Sequence, residues 1–223
     1  MAGRDALVSL TEALYTTRAM RRVKPDPVPE EMVRALIDAA TRVPTPAGHG
    51  GYRFMTVADP ETKRALGDLY LETFESLVGG KFSDIVANAD ERFRLQLSSS
   101  WWLAENFAIV PLWILVFSER DDPHARTAYA AAWNVALAAR GYGLGTCLTT
   151  ILGLESPDRV AQILGIPGEW MMDAAVSVGY PLGRWGLAKR LPAHEVTYAE
   201  RWGNPVPWEI EEPIWTEPVG YGR

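Results

Sequence analysis

Residues 17–44 read TRAMRRVKPDPVPEEMVRALIDAATRVP, and three kinds of chain follow one another within them. The first eight residues hold four cations, Arg18, Arg21, Arg22 and Lys24. The next piece, KPDPVPE, is too rich in proline for a helix interior, where each ring removes a backbone donor, so it reads as a rigid connector. Met32, Val33, Leu36, Ile37 and Ala40 then repeat at helical spacing and predict a second helix that stops near Pro44. Leu7, Leu10 and Leu14 make one apolar face of a first helix that ends before the cations. The formal net charge of −6 and pI near 5.2 argue against a broad nucleic-acid-binding face, so the cationic stretch needs a local partner.

Beyond Pro44, TPAGHGG at 45–51 predicts a loop, since three glycines and a proline do not support regular structure. Two readings fit it: a backbone that approaches a ligand closely, or an ordinary turn. YRFMTV at 52–57 predicts a strand and Pro60 to Thr73 a helix, whereas Gly79 to Arg92 shows no clear period. Leu95 to Val110 reads as helix, LWILVF at 112–117 as a fully buried strand, and Pro123 to Arg140 as a helix with Tyr129, Trp133 and Ala136 on one side, ending at Gly141. After GYGLGT and the apolar CLTTIL come a short helix from Pro157 to Leu164, capped by Ser156, and a last strand from Ala174 to Val178. Helices with interspersed strands predict an α+β core.

The 223 residues and the 48% hydrophobic fraction suffice for one substantial core, predicted to span 1–203. The segment 204–223 differs: it has four prolines, Trp208, Trp215 and Tyr221, and four glutamates against one arginine. It reads either as an extended arm lying across a surface, such as that of a partner subunit, or as a partly disordered tail. Cys147 is the only cysteine, which rules out an intrachain disulfide and a CxxC pair. His49, His124 and His194 lie far apart, so a metal triad is disfavoured. No apolar run approaches the length of a membrane span and the first residues lack a signal-peptide pattern, which makes a cytoplasmic protein the simplest expectation. Walker, HExxH and GxSxG motifs are absent, and GYGLG follows a helix, out of context for a dinucleotide fingerprint.

Taken whole, the 17–44 stretch resembles the N-terminal signature of the FMN-dependent nitroreductase family. WNVALAARGYGLGTCLTT at 133–150 resembles that family's central helix and glycine-rich segment, LGIP at 164–167 precedes an expected strand, and VGYPLGRWGLAKRLPAHEV at 178–196 resembles its closing signature. These matches are spread over about residues 10–203.

The resemblance implies a central, mainly antiparallel sheet surrounded by helices in an intertwined homodimer, with FMN at the interface. It also implies ping-pong chemistry: NAD(P)H gives hydride to the flavin and leaves, and an electron-poor acceptor such as a nitroaromatic or quinone takes its place. The family's phosphate-binding cations fall on Arg18, Arg21 and Arg190, with Lys189 beside them, while Arg22 and Lys24 read as solvent-facing. A guanidinium presents a planar fork of donors suited to phosphate. The flavin loop falls on Thr45, Pro46, Ala47 and Gly48, and the central segment on Asn134, Gly143, Gly145 and Thr146. Asn134 reads equally as a core hydrogen-bonding residue, and the glycines as sites of close helix and strand approach. No side chain is assigned as catalytic, because the flavin carries the chemistry.

The chain departs from the family in two places, the flavin loop and the arginine turn. Close relatives have PSxxNxQPW where this one has PTPAGHGGY, so Thr45 stands at the serine position and Gly48 and Gly50 replace two amides. Ala19 replaces a small hydroxyl residue in the arginine turn. These losses leave open another flavin-dependent redox task, a different flavin-like cofactor, or a flavin-binding protein without turnover. Tyr52, Trp101, Trp102 and Phe107 read either as substrate-facing aromatics or as core or dimer packing.

Overall fold

The computed structural model describes residues 8–45 and 51–215. Four antiparallel strands form the sheet: β1 (Tyr52–Val57), β2 (Leu112–Glu119), β3 (Gly145–Thr149) and β4 (Trp170–Gly179), in the order β1-β2-β4-β3. Around them lie α1 (Leu10–Thr16), α2 (Glu30–Ala40), α3 (Pro60–Gly79), α4 (Ser83–Ala87), α5 (Glu91–Glu105), α6 (Thr127–Gly141), α7 (Ile151–Glu155) and α8 (Pro157–Leu164). The α+β architecture and antiparallel sheet expected from the sequence are both present.

Strand β2 explains the three layers. Trp113, Leu115 and Phe117 point into one core with α3, α5, α7 and α8, and Leu112, Ile114 and Val116 point into a second with α2 and α6. A strand covered on both faces must be apolar at every position, which is why LWILVF shows no alternation. Helix α6 meets the sheet through small residues, Ala128, Ala132, Val135 and Ala139, all fully buried. Strand β4 carries a bulge: Val116 pairs with Ala174 and Phe117 with Met172, leaving Asp173 as the extra residue. The insertion inverts the side-chain parity, so Met172 shares a core with Ala175 while Ala174 faces the other.

Several boundaries differ from the sequence reading. The helix begun at Pro60 runs on to Gly79, the helix of 123–140 starts at Thr127, and the helical reading of 95–110 resolves into α5, starting at Glu91, and a 3-10 turn at Phe107–Ile109. Strand β4 begins at Trp170 rather than Ala174, and β3 occupies a stretch not read as a strand. Ser156 is not a side-chain cap; its Oγ instead lies 2.9 Å from Thr73 Oγ1 in a bond between hydroxyls that ties α8 to α3. Leu10 and Leu14, expected to be buried, face outward at 71% and 49% exposure, and α1 buries Ala13 and Thr16 instead.

The part of the tail within the described residues lies over its own chain. Ile210 N–H donates to His194 Nδ1 at 3.1 Å, and the Trp215 ring stands 5.7 Å from that of Tyr15 on α1.

Candidate functional site

The cationic stretch leaves α1 as extended chain and lies along the sheet beside β3. Ala19 bridges Thr146 in parallel, Met20 N–H donates to the Thr146 carbonyl at 2.7 Å, and Val23 bridges Pro181. Lys24 N–H donates to Tyr180 O and Leu182 N–H to Arg22 O, so the chain after β4 is laced to the same segment. Met20 and Val23 are the buried anchors. Arg22 and Lys24 are exposed, as the sequence reading expected of both.

The closing signature returns to this place. Ala188 N–H donates to Tyr15 O at 3.1 Å, and Arg18 donates from Nη2 to the Arg184 carbonyl at 2.6 Å. Helix α5 closes the third side through two residues two turns apart on one face: Arg21 Nη1 donates to Ser99 Oγ at 3.0 Å, and Arg92 Nη2 to the Lys189 carbonyl at 3.4 Å. Arg190 donates to the same Lys189 carbonyl at 2.9 Å. The structure thus gathers Arg18, Arg21, Lys189 and Arg190 from opposite ends of the chain. Arg92 and Ser99 join them, and neither was marked in the sequence.

Charge is unbalanced here. Among the described residues, ion pairs engage Arg34, Arg42, Lys81, Arg140 and Arg159, whereas Arg18, Arg21, Arg92 and Arg190 bond to carbonyls, a hydroxyl and, from Arg21, the Cys147 thiol. Guanidinium groups held by neutral acceptors keep their charge for an anion. Arg21 also reaches inward: its charge pulls against the burial that raises the Cys147 thiol, and against the burial that pushes the Tyr70 hydroxyl up to about 12. That hydroxyl lies 3.1 Å from Thr149 Oγ1 on β3.

The other expected positions have separate surroundings. Gly145, on β3, underlies the cationic segment. Gly143 has φ +73° and follows α6, where its N–H donates to Arg140 O and Leu144 N–H to Ala139 O. This is the left-handed stop that glycine favours. Asn134 Nδ2 donates to Ala39 O at 3.2 Å, joining α6 to the end of α2. Thr45 is half-buried just beyond that end, and Pro46, Ala47, Gly48, His49 and Gly50 lie outside the described residues. Phe107 is a core residue stacked on Trp113 at 4.0 Å, and Trp101 packs edge-on against Phe74 at 4.9 Å. Among the described residues no cluster of His, Cys, Asp or Glu could hold a metal, and no helix is long and apolar enough to cross a membrane.

Comparisons with known proteins bear on the family and the fold. The model of the nitroreductase family matches residues 14–180. A protein of Thermus thermophilus named NADH dehydrogenase is 31% identical over 192 residues, covering 82% of this chain and 92% of its own. Iodotyrosine deiodinase 1 of Rattus norvegicus is 25% identical, over 76% of this chain and 61% of its own. Among solved structures, an iodotyrosine deiodinase bound to FMN and 3-iodo-L-tyrosine superposes with a TM-score of 0.68 at 21% identity, over 86% of this chain and 99% of that one. A nitroreductase with bound FMN from Bacteroides fragilis superposes at 0.64 and 19% identity, over 86% and 100%. With the family model spanning both the cationic segment and the glycine-rich strand that it lies on, the chain belongs to the nitroreductase family.

Proposed function

We propose that the protein is a homodimeric, FMN-dependent NAD(P)H oxidoreductase that reduces electron-poor acceptors such as nitroaromatics and quinones by ping-pong hydride transfer. The observation that carries this reading is the gathering of Arg18, Arg21 and Arg190, without carboxylate partners among the described residues, around the segment bonded to β3. That donor set fits a phosphate monoester. Arg18 and Arg21, with Arg190 and Lys189, would hold the phosphate, and Thr45, Pro46, Ala47 and Gly48 would line the flavin loop. Bound there, FMN would supply a two-electron centre between NAD(P)H and the acceptor.

The protein's own work is holding and shielding. Ser99 and the Arg184 carbonyl fix the rotamers of Arg21 and Arg18, so the donors stand ready before an anion arrives. The cations are anchored by buried Met20 and Val23 rather than by a mobile loop. Dimerisation would cover the exposed Leu10 and Leu14 of α1 and Tyr129 and Trp133 of α6, large side chains that a lone protomer leaves in water. The tail, whose Trp215 packs against Tyr15 on α1, would extend that surface. A single flavin-binding domain over 1–203 and a separate arm after it remain our reading of the chain's division, and the cytoplasm our reading of its location.

A second reading is reductive dehalogenation in the same site, favoured by the likeness to iodotyrosine deiodinases in both sequence and structure. One experiment tests the shared premise and then the division. Purified protein is incubated with excess FMN, freed of unbound ligand, and its absorbance recorded; about one flavin per chain is expected, followed by NAD(P)H oxidation with a quinone or nitroaromatic. Retained flavin with turnover only on a halogenated phenol would select the second reading. A folded protein that retains no flavin would defeat both.

A further inference from the structure

Arg140 is the one arginine whose guanidinium lies fully inside the protomer among the described residues, at 2% exposure. Its Nη2 donates to Glu12 Oε1 at 2.6 Å, its Nε donates to Thr16 Oγ1 at 3.0 Å, and its plane covers the Trp185 ring with the central carbon 4.2 Å from the centroid. Burial pulls its pKa below the usual arginine value and the Glu12 carboxylate opposes that pull, which keeps the group charged. Neither α6 nor the other core contacts need a charge at this point. The desolvation of a buried ion pair offsets most of its attraction, so stability is a poor reason for one to be there.

Its neighbours suggest what it does instead. Thr16 stands two residues before Arg18, and Trp185 one residue after Arg184, whose carbonyl receives the Arg18 guanidinium. A single buried guanidinium therefore touches both chain segments near where they meet, Thr16 through a hydrogen-bonding edge and Trp185 through its face. A planar group with fixed donors on two edges and a stacking face can set the spacing of two segments, whereas an apolar side chain would let them slide.

We infer that Arg140 is a positioning residue for the phosphate end of the proposed flavin site, holding the 16–18 and 184–190 segments in the register that brings Arg18 to Arg184 and Arg190 to the same place. This rests on the flavin reading given above. Buried beneath these segments, Arg140 acts through Thr16 and Trp185.

The test compares FMN with riboflavin, which lacks the phosphate, by fluorescence titration of the apoprotein, with thermal melting of each apoprotein as the check on folding. Wild type should prefer FMN. In Arg140→Met, which keeps the stem and loses the fork, FMN affinity should fall about tenfold or more, the loss expected when charge-assisted contacts are misplaced, while riboflavin affinity stays unchanged. Arg140→Lys, closer to the natural side chain and safer to fold, keeps the charge but cannot bond to Thr16 and Glu12 while lying flat on Trp185, so it should show the same selective loss. Folded variants that bind both ligands as wild type does, or that lose both equally, overturn the inference. A wild-type protein indifferent to the phosphate overturns the phosphate site itself, and the positioning role with it.

Discussion

A β-carbon on Gly145 would stand 2.9 Å from the Met20 β-carbon, and 3.0 Å from that of Pro181. Glycine is therefore required here by the close passage of the cationic segment over β3, whatever the ligand. The neighbouring atoms are themselves β-carbons, which move only with their backbones. Gly145→Ala should cost about 1–3 kcal/mol, the usual range for overpacking, and should weaken FMN retention in the same variant because Met20 precedes Arg21. Chemical denaturation and the flavin absorbance of the purified protein check the two effects.

Among the cations of the candidate site, Arg21 reaches furthest inward, towards Ser99 and Cys147, and the others are exposed. Arg21→Gln removes its charge while preserving a donor for Ser99. FMN affinity should drop by about tenfold or more with little change in thermal stability, since the arginine is only half-buried. Titration of the apoprotein with FMN measures this; unchanged affinity would place the phosphate elsewhere.

Asp173, the bulged residue of β4, is 6% exposed, and neither its Oδ2 nor Ser118 Oγ has a well-formed hydrogen bond. Burial raises its pKa, and the polar side chain and backbone of Ser118 oppose the rise. Because the folded state holds this proton more tightly than the unfolded state, the stability that the group contributes is present below its unfolded value, near 3.8, and is lost as pH rises through the folded value. Asp173→Asn should therefore be more stable than wild type at neutral pH, by about 1–3 kcal/mol, with the gap closing as pH falls towards the acid range. Melting temperatures of both proteins across that range give the comparison.

Trp133 projects from α6 at 41% exposure, one turn from Tyr129. If this face meets a second copy, Trp133→Glu should shift the protein from dimer to monomer in sedimentation and reduce flavin retention with it, since a charge buried in an apolar interface is costly. A wild-type protein that sediments as a monomer would remove the interface from the proposal.

Parts of this molecule were legible in the sequence for definite reasons. LWILVF is covered on both faces, the α2 pattern buries Leu36 and Ala40, and Gly165 at φ +66° marks the end of α8. Strand β3 was hidden because its interior positions include Thr146 and Thr149, small polar residues that are nonetheless buried. Helix α5 began in a stretch without periodicity, and it buries only Leu103 and Ala104. Four cations of the site, Arg18, Arg21, Lys189 and Arg190, could be named through resemblance to a family, but Ser99 and Arg140 could not. Their partners stand 78 and as many as 128 residues away in the chain, and nothing in the neighbouring sequence records such a contact.

The lacing of residues 18–24 to β3 and to the chain after β4 also sets an order of assembly. The Met20 N–H finds its acceptor at Thr146 and Lys24 N–H its acceptor at Tyr180, each more than a hundred residues further on. During synthesis the cations wait, solvated, until more than a hundred further residues have been made. Contacts so distant are slow to close, because the loop entropy is lost before the contact returns anything. The anion site is thus a late product of folding, and a chain cut short before residue 180 would carry its arginines without the surface that arranges them.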